Sequence, residues 1–128
     1  MKVLLDTHVF IWMLNETEKL SHKATQILRD PDNELILSVA SIWEIQIKET
    51  LGKIKFQESI ETIFEKLAAQ TDLKILPIEA NHIFELSKFP LHHKDPFDRI
   101  LIAQSNYEGA HLMSSDKVFL SYPVKIMW

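Results

Sequence analysis

Four acidic residues stand where an apolar run ends or where a helix is about to begin: Asp6, Glu44, Asp98 and Asp116. In a parallel α/β sheet, the carboxyl ends of neighbouring strands open onto one crevice, so acids at several such ends are expected to meet. Carboxylates that meet repel one another unless a positive group lies between them. A hard divalent cation with oxygen ligands fits that position. The pattern predicts a metal-dependent enzyme that acts on phosphate esters.

Three of these acids also have a purely structural explanation. Asp6 and Asp116 can each cap the helix or helical turn that follows, and Asp98 can stabilise its helix through the helix dipole. Glu44 is harder to explain, because it lies among apolar neighbours on a predicted helix, where a carboxylate needs a partner. Lys48 is the first basic residue placed to supply one. Independent caps therefore explain the four acids together less well than one shared site does.

Apolar patterning predicts strands and helices that alternate along the chain. Strands are expected at 2–6, 34–38, 73–77, 110–114 and 124–127. Helices are expected at 7–14, 21–29, 39–51, 59–70, 79–87 and 96–107, with a helical turn near 117–120. This alternation favours a three-layer α/β fold with a mainly parallel central sheet flanked by helices.

The last long helix has a recognisable start and end. Asp95 suits the N-cap and Pro96 the first helical position, and the helix is expected to end near Gly109. Asp95 is interpreted first as this cap and second as an additional metal ligand. Gly52 is likewise placed as the residue after the end of the 39–51 helix.

Size and composition predict one soluble domain, residues 1–128. The chain contains no cysteine, which excludes disulfides and thiolate zinc sites and fits a reducing cytoplasm. The apolar run at 3–5 is too short for a secretory signal, and no other run could span a bilayer. The net charge of −4 argues mildly against a nucleic-acid binder, although bound metal would reverse the local sign in a nuclease.

Four segments occur in the order found in PIN domains, and the resemblance covers essentially the whole chain. They are Leu4-Leu-Asp6-Thr7, Ser41-Ile-Trp-Glu44-Ile45, His93-Lys-Asp95-Pro-Phe-Asp98-Arg99-Ile-Leu-Ile-Ala103 and Ser114-Ser-Asp116-Lys-Val-Phe119. The Asp-Pro-Phe-Asp-Arg stretch and its apolar helix are the most distinctive part. In length and motif order the chain resembles the VapC-like toxins of bacterial type II toxin–antitoxin modules.

The resemblance implies a Rossmann-like sheet and a Mg²⁺- or Mn²⁺-dependent endoribonuclease, usually restrained by an antitoxin and usually dimeric. Carried over by position, the metal ligands are Asp6, Glu44, Asp98 and Asp116, with Asp95 in the same cluster. In this interpretation three aspartates coordinate the ion or its waters, while Glu44 bridges or orients the attacking water.

Further residues could support such a site. Thr7 and Ser115 could hydrogen-bond the ligand carboxylates, although ordinary capping explains these hydroxyls equally well. Lys94 and Arg99 could hold the scissile phosphate, with a solvated surface charge as the alternative. His8 is expected to be a buried histidine bonded to backbone.

Two other functions remain open at this point. A PIN-like module could bind RNA or protein without catalysis, and an α/β phosphatase could share the architecture. A haloacid-dehalogenase-like phosphatase needs a second acid two residues after Asp6, where the chain has His8.

A partner surface is expected near the Glu44 helix, as a groove for an antitoxin helix or as a dimer contact. Its apolar residues are Trp43, Ile47, Ile54 and Phe56. Trp43 is assigned more simply to the internal core.

Overall fold

The structure, a computed structural model, describes residues 1–90 and 95–128. Within these residues five strands form a sheet in which every hydrogen-bonded pair is parallel. The strands are β1 Lys2–Leu5, β2 Glu34–Ser38, β3 Lys74–Leu76, β4 His111–Met113 and β5 Ile126–Met127. Their spatial order is β3-β2-β1-β4-β5, so β1 lies at the centre.

Six α-helices connect and cover the strands in the described residues. They are α1 Thr7–Asn15, α2 His22–Arg29, α3 Val39–Thr50, α4 Ile60–Gln70, α5 Ala80–Glu85 and α6 Pro96–Glu108. Short 3-10 helices cover Thr17–Lys19, Leu86–Lys88 and Lys117–Ser121.

Strand side chains alternate between the two faces of the sheet and build a core on each. Val3, Leu5 and Leu37 pack on one face with buried residues of α1, α2 and α3, and α4 covers the edge of this cluster. Leu4 and Leu112 pack on the other face with residues of α6. Helices therefore cover both faces of a parallel sheet, which confirms the predicted three-layer α/β fold.

The chain order places a crevice at the end of β1. From β1 the chain crosses to β2 and β3 on one side, then returns to β4 on the other side. The strand order therefore reverses between β1 and β4. Ligands in open α/β sheets bind at the carboxyl ends of the strands at such a point. This is the end at which Asp6 lies.

Every predicted strand and helix is present, and no boundary differs by more than two residues. The predicted 79–87 helix is α-helical to Glu85 and continues as the 3-10 helix Leu86–Lys88. The strand predicted at 124–127 is confined to Ile126–Met127. Gly109 takes a left-handed conformation, with φ of +67°, at the end of α6, as expected for a helix-terminating glycine.

Across the described segments, no helix is long and apolar enough to cross a membrane.

Candidate active site

Asp6 is held in the interior at the end of the central strand. Its backbone N–H donates to the Met113 carbonyl at 3.0 Å, which continues the β1–β4 pairing in which Leu5 faces Met113. The residue is only 3% exposed. Asp6 occupies the N-cap position of α1, but its side chain makes no capping hydrogen bond. The capping interpretation of this carboxylate is therefore wrong.

The Asp6 carboxylate instead accepts a hydrogen bond from a neighbouring strand. The Ser114 hydroxyl donates to Oδ2 of Asp6 at 2.6 Å. The same Ser114 oxygen accepts the backbone N–H of Asp116 at 3.1 Å. One buried hydroxyl therefore links the acid after β1 to the backbone of the acid after β4.

Burial raises the pKa of the Asp6 carboxyl above its usual value, because the charged form is poorly solvated there. The Ser114 hydrogen bond, the charge of His8 and the backbone N–H of Thr7 oppose this rise in pKa, whereas the charge of Glu44 adds to it. Asp6 and Glu44 therefore lie close enough to interact electrostatically, as the sequence predicts for acids that share a site.

Glu44 reaches this region because α3 begins directly after β2. Ser38, the last residue of β2, caps α3 by accepting the Ala40 N–H at 3.0 Å. Glu44 is 8% exposed, and its Oε2 lies 3.2 Å from Nζ of Lys48. The partner that a buried glutamate requires is thus Lys48, one helical turn later.

A second buried contact fixes the start of α1 against α3. The Thr7 hydroxyl donates to Oγ of Ser41 at 2.8 Å, and both residues are almost fully buried. The Thr7 side chain therefore positions the helix that follows Asp6 against the helix that carries Glu44. This hydroxyl bonds a serine, whereas the sequence left open a bond to a ligand carboxylate or an ordinary capping role.

Asp116 is exposed and caps the 3-10 helix that follows it. Its Oδ1 accepts the Val118 N–H at 3.0 Å, as the capping explanation of this residue predicts. That bond involves one of the two oxygens of the Asp116 carboxylate.

The N-terminus of α6 carries Asp95 and Asp98. Oδ1 of Asp95 accepts the N–H groups of Phe97 and Asp98 at 2.9 and 3.4 Å, and Pro96 is the first helical residue. Asp95 is thus a helix cap, as predicted. Asp98 is the third helical residue and is partly buried. α6 packs against α3 through Ala40, Ile100 and Ala103, which brings the two helices of Glu44 and Asp98 together.

The structure does not assemble all the predicted ligands into one metal-binding group. Among the residues it describes, no three His, Cys, Asp or Glu side chains are grouped so that they could hold a metal ion. It shows Asp6 with Glu44, and Asp6 linked through Ser114 to Asp116. The roles of Asp98 and Asp95 in metal binding stay predictions.

The residues present nevertheless suit a hard cation. Magnesium in proteins commonly uses one or two carboxylates and keeps several water ligands. Asp6 and Glu44 supply two buried carboxylates whose mutual repulsion a cation would relieve. The Ser114 hydroxyl holds one of these carboxylates in a fixed orientation, as hydrogen bonds to metal ligands do.

Three other residues of the predicted site differ from expectation in their exposure or in their contacts. Ser115 is exposed, and the hydroxyl that contacts Asp6 belongs to Ser114. His8 is exposed, so the expectation of a buried histidine is wrong. Arg99 donates from Nη1 to the Pro90 carbonyl at 3.3 Å. Lys94, the other predicted phosphate contact, lies outside the described residues, as do His92 and His93.

Sequence reasoning missed Ser114, although two signals indicate it. Strand side chains alternate with a period of two, so Ser114 shares the face of Leu112 and Ser115 does not. The pairing of Leu5 with Met113 then places Asp6 beside Ser114. The core position favoured for Trp43 is wrong, because 60% of its surface is exposed. The alternative role of Trp43 in a partner surface stays a prediction.

Comparison with known proteins gives similar chains of nearly equal length. The chain is 29% identical over 122 residues to Ribonuclease VapC22 of Mycobacterium tuberculosis, covering 94% of this chain and 91% of the relative. The fold is similar to that in the VapBC2 crystal structure from Rickettsia felis bound to a promoter DNA fragment, with a TM-score of 0.73 at 18% identity. That match covers 99% of this chain and 98% of the solved one.

A second solved structure, FitAcB from Neisseria gonorrhoeae, matches with a TM-score of 0.69 at 14% identity, covering 98% and 96% of the two chains. The family model described as the PIN domain matches residues 3–125, almost the entire chain. The protein therefore belongs to the PIN domain family.

Proposed function

We propose that this protein is a divalent-metal-dependent endoribonuclease, the toxin of a toxin–antitoxin pair. The observation that carries the proposal is the Asp6 carboxylate, which is buried at the strand-order switch beside Glu44 and caps no helix. A buried carboxylate with a raised pKa in such a crevice is characteristic of a functional site. Membership of the PIN family and similarity to a protein named as a ribonuclease support the same activity.

Mg²⁺ or Mn²⁺ is the proposed cofactor; when bound, such an ion lowers the pKa of its water and offsets charge on the phosphoryl oxygens. Asp6 and Glu44 are the proposed principal ligands, with Asp98 and Asp116 completing the set. Ser114 holds the Asp6 carboxylate in place, and the bond from Thr7 to Ser41 holds the helix that follows Asp6 against the helix that carries Glu44.

The proposed partners are an antitoxin protein and a second copy of the chain. Support for the antitoxin comes from solved structures of similar fold, described as VapBC-1 from Haemophilus influenzae and as a toxin–antitoxin complex from Klebsiella pneumoniae. A cleft of about 710 Å³ between α1 and α4 offers a surface of mixed polarity for such a partner, with Leu14, Phe56, Ile63 and Leu67 beside charged residues such as Lys55 and Glu58. The absence of cysteine fits the cytoplasm, where we place the protein.

The second candidate is a PIN module that binds RNA or protein without cleaving it. Among the described residues, the lack of a group of three potential metal ligands favours this alternative. Measurement of Mn²⁺ binding together with cleavage of an RNA panel separates the two functions.

The decisive experiment substitutes the central acid isosterically. We expect Asp6→Asn to reduce Mg²⁺-dependent RNA cleavage by about 100-fold or more, since the loss of a ligand removes several kcal/mol of transition-state stabilisation. Glu44→Gln should have a similar effect. Cleavage of a transcript panel in Mg²⁺, Mn²⁺ and EDTA, with circular dichroism to verify folding, provides the measurement.

Asp32→Asn is the matched control, because this aspartate lies in the exposed turn before β2. Full cleavage by Asp6→Asn, or undiminished cleavage in EDTA, would exclude the metal mechanism.

A further inference from the structure

Trp43 is an aromatic residue that the proposed chemistry does not use. It lies on α3 with 60% of its surface exposed, whereas its helix neighbours Glu44 and Ile45 are buried. Trp12 and Trp128, the other tryptophans of the chain, are half-buried and pack against each other at 5.8 Å. Trp43 is therefore the tryptophan most available to a ligand.

The Trp43 ring is held in place by a second aromatic ring. Phe97 meets it edge-on, with ring centres 5.3 Å apart and an angle of 77° between the planes. This geometry is favourable for aromatic pairs. An edge-on contact can cover only one face of the indole, and the measured exposure leaves ample surface for another flat ring.

This aromatic pair adjoins two of the candidate ligands along the helices that carry them. Trp43 immediately precedes Glu44 on α3, and Phe97 immediately precedes Asp98 on α6. Contact between the two rings therefore connects the segment of α3 that contains Glu44 to the segment of α6 that contains Asp98. A ligand whose phosphate lies at the carboxylates would have its attached groups close to this ring.

Charge also favours a ligand held by stacking. The protein has a net charge of −4, so contacts to phosphate alone give little affinity for a polyanion. The nearby Lys48 forms an ion pair with Glu44, and Arg99 donates a hydrogen bond to the Pro90 carbonyl. Stacking of bases on aromatic side chains supplies affinity that needs no positive charge.

From these observations we infer that Trp43, braced by Phe97, stacks on an unpaired RNA base next to the scissile phosphate. The inference rests on the proposed ribonuclease function and adds to it a residue that holds the substrate beside the scissile phosphate. Unpaired bases are the ones that can splay out and stack on an aromatic side chain.

Binding is tested in the Asp6→Asn background, so that cleavage does not consume the probe. Short oligoadenylate and oligouridylate RNAs are titrated while tryptophan fluorescence and fluorescence anisotropy are recorded. We expect RNA to quench the fluorescence and Trp43→Leu to weaken binding by about 5- to 150-fold, the range for loss of one stacked base. Trp43→Phe should retain part of the affinity while losing the quenching.

Tyr107→Ala is the matched control, since this exposed tyrosine lies at the end of α6 opposite to Phe97. The RNA affinity of this variant should equal that of the parent protein. The slope of log affinity against log salt should also be unchanged in Trp43→Leu, because stacking releases no counterions. Unaltered binding by Trp43→Leu, or no RNA-dependent quenching in the parent, would overturn the inference.

Oligomeric state is measured in parallel by light scattering. If Trp43→Leu dissociates a dimer and leaves RNA affinity unchanged, the ring belongs to a contact between copies and the inference fails. Cleavage by the wild-type protein is assayed separately. RNA-dependent quenching without any metal-dependent cleavage would refute the proposed enzyme while leaving the base contact in place.

Discussion

The Ser114 hydroxyl helps to set the charge of the Asp6 carboxyl. Burial raises the pKa of Asp6, and the 2.6 Å hydrogen bond from Ser114 is the strongest influence that lowers it. In Ser114→Ala the pKa of Asp6 should rise further, so less of the carboxylate is ionised at a given acidic pH. We expect the acidic limb of the pH profile of RNA cleavage to move to higher pH. Ser115→Ala, an exposed serine one residue away, should leave the profile in place.

The same substitution changes how stability depends on pH. A carboxyl whose pKa is higher in the folded than in the unfolded state binds its proton more tightly when folded, so stability falls as pH rises through the folded pKa. Ser114→Ala also removes the acceptor of the Asp116 N–H, so part of its destabilisation should be the same at every pH. The stability difference from the wild type should be larger at pH 7 than in acid, by about 1.5–3 kcal/mol for a hydrogen bond to a charged group. Urea unfolding across pH measures this difference. Equal stability of the two proteins at pH 7 would contradict the assigned role of Ser114.

Lys48 is the counter-charge of the buried Glu44. The Lys48 and Glu44 side chains are 26% and 10% exposed, so water screens this pair less than it screens an open surface pair. Lys48→Met should lower the free energy of unfolding by about 1–3 kcal/mol, because it leaves a buried carboxylate without its partner. Chemical denaturation provides the measurement.

Lys66→Met is the control for Lys48→Met, since the Lys66–Glu58 pair is 57% and 44% exposed. Exposed ion pairs contribute about 0–1 kcal/mol. Equal effects of the two substitutions would show that burial of Glu44 does not matter to its energetics.

At the scale of secondary-structure elements, two substitutions at the start of α6 distinguish a capping role of Asp95 from a metal-binding role. Asp95→Ala should destabilise the protein by about 0.5–2 kcal/mol through loss of the helix cap, whereas Asp95→Asn should retain the cap. If Asp95 only caps, Asp95→Asn also retains metal-dependent cleavage. A large loss of cleavage with unchanged melting temperature would identify Asp95 as a metal ligand.

The elements were predictable because local signals and tertiary structure agree along this chain. Alternation of apolar runs gives the strands, and Asp95-Pro96 and Gly109 mark the two ends of α6. The boundaries of β3 and β5 were less predictable, because the ends of a strand depend on how far its neighbours pair with it. The apolar pattern of one segment does not specify which residues of a neighbouring strand it pairs with.

The candidate site was predictable in its acids and less so in its supporting contacts. Asp6 and Glu44 stand out because charges among apolar residues require an explanation. Ser114 and Ser41 are defined by contacts between segments far apart in sequence, 108 and 34 residues from their respective partners. Exposure of Trp43 depends on which face of α3 meets α6, and an apolar pattern does not decide that.

At the scale of the whole molecule, a protein with a net negative charge binds RNA only if the repulsion between its active-site carboxylates and the RNA phosphates is limited. The double substitution Asp6→Asn with Glu44→Gln removes two negative charges that lie close together in a buried crevice, where water screens them poorly. We expect this variant to bind single-stranded RNA more tightly than the wild type in EDTA, by about 5-fold or more for one kcal/mol or more of relieved repulsion. Fluorescence anisotropy at low salt measures the affinity.

The matched control removes two remote exposed charges, Asp32→Asn with Glu58→Gln, and so produces the same net charge. Its gain in RNA affinity should be smaller, because water and salt screen surface charges that lie away from the bound strand. Addition of Mg²⁺ should then raise the RNA affinity of the wild type and the control, while leaving the double variant of the site almost unchanged. Equal gains for both charge-removing variants would mean that net charge governs binding and that the Asp6–Glu44 crevice is not where RNA phosphate lies.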